Sequence, residues 1–175
     1  WSATEQEIAA WATPEFIDIM TQRALTGGAF QGLNLGETLT HVPSLTDLLS
    51  LYNLTPAHAA MFVLPNNSLE AIHIDDSNKR IRLAFPFHNS AASLTKFFKL
   101  VNNDNNLISQ GNGKKLWILN ESDVEEVDQV CIDRPTFIRV LEPHRVDCQG
   151  CYPRITLLIE FNVNQNDYLD TLIES

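Results

Sequence analysis

The first third of the chain carries apolar residues at the three- and four-residue spacing of amphipathic helices. The segment 14–27 shows this spacing best, because Thr13 suits a helix cap and Gly27 begins a glycine pair that ends the periodic run. Similar spacing on both sides of this segment predicts that residues 1–55 form a helical N-terminal part.

From residue 56 onward, apolar and polar residues alternate, which is typical of half-buried strands. The range 154–163 alternates most clearly, and a three-strand meander is predicted from Ala59 to Phe87. The range 94–101 has helical spacing and therefore predicts a helix. The acidic segment 123–128 predicts a second short helix, since carboxylates stabilise a helix N-terminus.

Helices that precede the strands, rather than alternate with them, indicate an α+β fold. We expect N-terminal helices followed by a mainly antiparallel sheet of about five or six strands, with helices packed on it. About 55 residues of helix bury too little surface to fold alone. We therefore expect residues 1–175 to form a single domain, with a helical part at 1–55 and a sheet-containing part at 56–175.

The composition is that of a folded, soluble protein, with 44% hydrophobic and 19% charged residues. No apolar run approaches the roughly 18 residues that a membrane span needs. A net charge of −10 argues against binding to nucleic acid, whose phosphates attract clustered lysine and arginine. We expect a cytoplasmic protein, and a secreted or processed form stays open because the chain begins with Trp1 rather than Met.

Charge is distributed unevenly, with a net −5 over residues 1–60, +3 over residues 61–120 and −8 over residues 121–175. A basic centre between acidic flanks either pairs internally or presents its charge to a partner. In the second case, the side chains that we expect to contact an acidic partner lie in the meander and the predicted helix after it. They are Arg80, Arg82, Lys96 and Lys99.

One set of residues has the types and spacing of a structural zinc site. The spacing C-x12-H-x3-C-x2-C joins four possible ligands: Cys131, His144, Cys148 and Cys151. A single C-x-x-C pair is half of a typical site, so no cofactor is the default expectation and structural zinc is the alternative. In the default case Cys131 acts as a small buried hydrophobe.

Motifs of nucleophilic or phosphate-transfer enzymes are absent from the sequence. His73 and Asp75 are two residues apart in a predicted strand, so both side chains lie on the same face. A carboxylate beside an imidazole can orient it as a general base, and His88 could complete a spatially assembled hydrolase or transferase site. The alternative interpretation is a solvated strand face.

The meander from Ala59 to Phe87 and the predicted helix and strand from Leu94 to Leu119 resemble, in their order, the class I type III secretion chaperones. The resemblance covers about two-thirds of the chain, and the first 44 residues and the segment from Glu121 to Asp133 depart from it. It implies an acidic α+β homodimer that wraps an extended segment of a partner protein.

The leading hypothesis is a non-enzymatic protein-binding module, such as a chaperone, adaptor or inhibitor. It would recognise a partner polypeptide through a strand edge or an apolar groove. Two alternatives stay open: an enzyme with a spatially assembled His/Asp site, and a zinc-stabilised interaction domain.

Overall fold

The structure is a computed structural model, and its description covers most of the chain. The described residues are 2–66, 70–75, 81–102, 106–109, 115–148, 150, 152–162, 165 and 167–170, of which 106–109 and 115–116 are described by their backbone alone. The helices of the N-terminal part are α1 (Ser2–Trp11), α2 (Pro14–Gly27), α3 (Leu35–His41) and α4 (Ser44–Leu51), and residues 167–170 are also helical. Among the described residues, no helix is both long and apolar enough to cross a membrane.

Side-chain hydrogen bonds and a glycine set the ends of the helices. The Thr13 hydroxyl caps α2 by accepting a hydrogen bond from the Phe16 amide at 3.2 Å, and Gly28 ends the helix at a φ of +90°. The first residue of α4 is capped from outside its own helix: the Glu7 carboxylate of α1 accepts from the amide and hydroxyl of Ser44, at 3.1 and 2.7 Å. The helical N-terminal part is therefore confirmed, with one short strand inside it.

The strands form two sheets rather than one. They are β1 (Phe30–Leu33), β2 (Pro56–Leu64), β3 (His73–Asp75), β4 (Ile81–His88), β5 (Ser93–Leu100), β6 (Asn106–Ser109), β7 (Lys115–Ile118), β8 (Val124–Cys131), β9 (Thr136–Arg139), β10 (His144–Cys148) and β11 (Arg154–Phe161). A five-stranded sheet has the order β1-β2-β11-β4-β9, and a six-stranded sheet has the order β6-β7-β3-β10-β5-β8. Every strand pair is antiparallel, so the predicted α+β class is confirmed.

The molecule has three layers, with the five-stranded sheet in the middle. Its outer face packs under the helices, where Trp11, Met20 and Leu45 meet residues of β2, β4 and β11. Its inner face packs on the six-stranded sheet, with Leu158 in the same apolar cluster as Phe97. Strand β11 is therefore buried on both faces, and the half-buried strand that the sequence predicts is wrong in that respect.

The helices predicted over 94–101 and 123–128 are strands instead. The range 93–100 forms β5, which buries Thr95 toward the five-stranded sheet and Phe98 in an apolar cluster on the opposite face. Because apolar residues on both faces of β5 are covered, their combined spacing imitates that of a helix. The acidic segment forms β8, beginning after a 3-10 turn at Glu121–Asp123. The element order behind the chaperone resemblance therefore differs at β5. The predicted three-strand meander is also wrong, because β3 lies in the six-stranded sheet, whereas β2 and β4 lie in the five-stranded sheet on either side of β11.

Candidate metal centre between the sheets

Six titratable side chains meet where β3 and β10 of the six-stranded sheet face β4 and β11 of the five-stranded sheet. We call them the intersheet cluster: Glu70, His73, Asp75, Arg82, His144 and Glu160. Three of them offer ligand atoms to a common point, and they are almost fully buried, with exposed fractions of 8% for His73, 8% for Asp75 and 7% for His144.

Strand geometry places these three side chains together. His73 and Asp75 are alternate residues of β3, and both are buried on its inner face, as the spacing predicts. His144 begins β10 and is the register partner of His73 across the ladder. The two imidazole rings consequently lie side by side, with centroids 4.4 Å apart.

Each imidazole is fixed by a hydrogen bond to the backbone two residues earlier. His73 Nδ1 lies 2.9 Å from the Ala71 carbonyl oxygen, and His144 Nδ1 lies 2.8 Å from that of Glu142. A carbonyl oxygen can only accept, so both Nδ1 atoms carry the proton and both Nε2 atoms are left to bind a ligand. The same arrangement orients histidines that ligate metal ions.

The distances between the ligand atoms suit a metal ion. His73 Nε2 lies 3.5 Å from Asp75 Oδ1 and 4.0 Å from Glu70 Oε1. Two ligands at about 2.1 Å from a tetrahedral ion are about 3.4 Å apart. The ligand atoms of His73, Asp75 and His144 lie within 4.8 Å of one another, so small side-chain rotations bring all three onto one ion.

Arg82 orients the carboxylates of the cluster from the five-stranded sheet. Its Nη1 atom lies 2.5 Å from Asp75 Oδ2, and its Nε atom lies 2.8 Å from Glu160 Oε1. The three carboxylates outnumber the Arg82 guanidinium, and Arg154 is a second cation close enough to act on Glu70. A bound cation would offset the remaining negative charge and so lower the cost of burying it.

Burial shifts the pKa values of His144 and Glu70 in opposite directions, because it disfavours the charged form of each. It lowers the pKa of His144 to about 4, with the neighbouring His73 contributing in the same direction. Burial raises the pKa of Glu70. His73 acts against this rise, and so does the Val146 amide, which donates a hydrogen bond to Glu70 Oε2 at 2.6 Å. His144 is therefore neutral at pH 7, as a metal ligand must be.

Two other predicted members of the enzymatic and zinc sites, His88 and Cys148, lie far from the histidines of the intersheet cluster. His88 ends β4 six residues beyond Arg82, roughly 20 Å along the strand, so it does not join His73 and Asp75. His144 and Cys148 stand at opposite ends of β10, roughly 13 Å apart, which is too far for one ion. Cys131 lies on β8, where its thiol donates to the Ala91 carbonyl at 3.2 Å, and Cys151 lies outside the described residues.

The basic side chains predicted to meet an acidic partner are largely used within the fold. Arg82 is in the interior, which corrects its assignment to an outward strand face, and Arg80 lies outside the described residues. Lys96 Nζ lies 3.3 Å from carboxylate oxygens of both Glu126 and Asp147, and Lys99 Nζ lies 2.9 Å from Glu125. The basic centre of the chain thus pairs with its acidic C-terminal third.

Sequence reasoning missed Glu70 and Glu160. Glu160 belongs to the polar set of alternating residues in β11, which the sequence assigns to solvent and the fold turns toward the second sheet. Glu70 precedes β3 and carries no pattern of its own. Comparison with known proteins adds no family: no protein-family model matches the chain, and no curated protein matches it significantly.

Proposed function

We propose that this protein binds one divalent transition-metal ion in the intersheet cluster. His73 Nε2, His144 Nε2 and Asp75 Oδ1 are the ligands, and Glu70 is placed to supply a fourth. The observation that carries this proposal is the pair of Nδ1 hydrogen bonds to backbone carbonyls, in a group of two histidines and one aspartate whose ligand atoms lie within 4.8 Å of one another.

The donor set favours zinc, or iron and manganese in their divalent states. Two imidazole nitrogens with one or two carboxylate oxygens suit these ions, whereas calcium and magnesium prefer sites made of oxygen atoms. The burial of all three ligands supports a closed site with a structural role. This proposal keeps the idea of a zinc-stabilised domain and keeps His144 as a ligand, but it replaces the three cysteines by His73, Asp75 and Glu70.

The test is calorimetric titration of chelator-treated protein with Zn²⁺, supported by visible absorption of the Co²⁺ complex. We expect about one ion per chain. Removing a residue that hydrogen-bonds a metal ligand lowers metal affinity roughly 10–100-fold. His73→Asn and His144→Asn remove ligands themselves, so each should weaken Zn²⁺ binding by more than that. His88→Asn, outside the cluster, is the matched control. Absence of Zn²⁺ binding by the wild-type protein, or equal binding by all three variants, would overturn the proposal.

A second candidate function is recognition of a partner polypeptide, and β8 favours it. This strand is the last of the six-stranded sheet, and its residues 125–129 are exposed. Three of the five are acidic. Glu125 and Glu126 pair with Lys99 and Lys96, and the remaining carboxylate, Asp128, would favour a basic partner strand, opposite in sign to the partner that the sequence predicts. The register between β5 and β8 shifts around Val127. Irregularities of this kind also protect sheet edges from pairing with a further strand, which argues against this second function.

Titration with extended peptides tests this second function. A lysine-rich peptide should bind and a glutamate-rich peptide should not. Asp128→Lys, on the exposed edge, should abolish binding, whereas Asp47→Lys, exposed on α4, makes the same charge change elsewhere. Equal affinity of both variants for the basic peptide would refute a role for β8.

A further inference from the structure

The six-stranded sheet is weakly joined at one point in its ladder. Strands β10 and β5 share five register pairs, β5 and β8 share seven, and β3 and β7 share three. Between β3 and β10, within the described residues, one pair connects the strands, His73 with His144. The sheet therefore consists of two halves, β6-β7-β3 and β10-β5-β8, with a joint between them.

Few backbone hydrogen bonds reinforce this joint. The Asp75 amide donates to the Val140 carbonyl at 3.1 Å, which connects β3 to the segment before β10. The Val146 amide donates to the Glu70 carboxylate, which takes the place of the backbone partner that β3 does not supply. An edge amide of β10 is thus satisfied by a side chain rather than by a continuing ladder.

The two faces of the joint differ in chemistry. On the outer face, Ile72 and Leu119 of one half pack against Phe98 of the other. On the inner face, the residues that meet across the joint are two imidazoles and a carboxylate. The inner face therefore gains little from apolar contact, and its strongest available link is coordination to a shared ion.

Resting on the metal binding proposed above, we propose that the ion acts as a clamp whose occupancy controls attachment of the β6-β7-β3 half to the β10-β5-β8 half. Two ligands come from β3 and one from β10, so an ion bound to all three spans the joint. Opening the joint breaks coordination, and binding therefore favours the closed sheet by the factor 1 + [M]/Kd.

Hydrogen exchange read by mass spectrometry tests the clamp on the wild-type protein, with Zn²⁺ at 100 times its Kd and with chelator. We expect amides of β3 and β7 to exchange about 100-fold faster after chelation. Strand β8 is the control, because it is also terminal but is joined to β5 by seven register pairs. Its exchange should not change, and neither should that of β2 and β11 in the five-stranded sheet.

The outcomes separate the two proposals. Zn²⁺ binding with selective protection of β3 and β7 supports the clamp. Zn²⁺ binding with no change in exchange, or with equal protection of β8, overturns the clamp and leaves metal binding intact. Failure of Zn²⁺ to bind in calorimetry overturns both.

Discussion

Replacing His144 by asparagine should flatten the acid sensitivity of the metal-free protein. Burial holds the pKa of His144 at about 4, against an ordinary value of 6.5 in the unfolded chain. The folded protein therefore binds fewer protons than the unfolded chain between these two values. The stability that His144 contributes is complete above pH 6.5 and is lost as the pH falls from 6.5 to 4.

The size of this loss follows from the two pKa values. At 1.36 kcal/mol per pKa unit, the difference between 6.5 and about 4 corresponds to about 3 kcal/mol. Glu70 acts in the opposite direction: its pKa is raised by folding, so it takes up a proton earlier in the folded state and offsets part of the loss. Because both proteins contain Glu70, its effect largely cancels in their difference.

Urea unfolding followed by tryptophan fluorescence, in chelator at pH 7, 6, 5 and 4, measures the effect. Asparagine keeps an N–H donor near the position of Nδ1 and has no titrating group. The free energy of unfolding should fall more steeply with acid in the wild type, by a total of about 3 kcal/mol relative to His144→Asn. Parallel curves for the two proteins would refute the argument, as would an NMR titration of His144 with its midpoint above pH 6.

Three further predictions concern stability, measured as the free energy of unfolding in urea at pH 7. Arg82→Met leaves the carboxylates of Asp75 and Glu160 without their shared cation, and should cost about 3–5 kcal/mol. Leu157→Ala, in the fully buried core, should cost about 2–5 kcal/mol, whereas the exposed Leu51→Ala should stay within about 0.5 kcal/mol. Glu7→Gln weakens the cap at Ser44 and should cost about 1 kcal/mol. Equal stability of Leu157→Ala and Leu51→Ala, or wild-type stability of the other two variants, would contradict the packing and pairing described.

Local chemistry made α2 predictable, whereas α3 lies in a range whose two glycines favour a loop. The cap at Thr13 and the stop at Gly28 act within a few residues of the helix that they bound, so the sequence contains the whole signal. Strand β5 lacked such a signal. Whether Phe97 and Phe98 share a helix face or occupy opposite faces of a strand depends on partners far away in sequence. Phe97 packs on the five-stranded sheet, and Phe98 packs on side chains that flank neighbouring strands of its own sheet, such as Ile72.

One part of the candidate site could likewise be predicted from the sequence, and another part could not. Alternation along a strand is a local property, so the shared face of His73 and Asp75 could be predicted. The pairing of His73 with His144 joins residues 71 positions apart and depends on strand order. The sequence grouped His144 with the nearby cysteines because they are only a few residues apart. In an extended strand, however, each residue adds about 3.3 Å, so His144 and Cys148 at the two ends of β10 cannot bind the same ion.

The polar face of β11 connects the fold to the proposed function. Arg154 is only 2% exposed, and Glu160 is also oriented toward the six-stranded sheet. Both residues bury charge at positions where apolar side chains would pack without a desolvation cost. Stability alone does not require such residues. Glu160 pairs with Arg82, and Arg82 pairs with Asp75. Asp75 in turn lies beside His73 Nε2, at the joint of the six-stranded sheet. Within the described residues, the buried charges therefore end at a place where a bound cation would both offset negative charge and connect the two halves of the sheet.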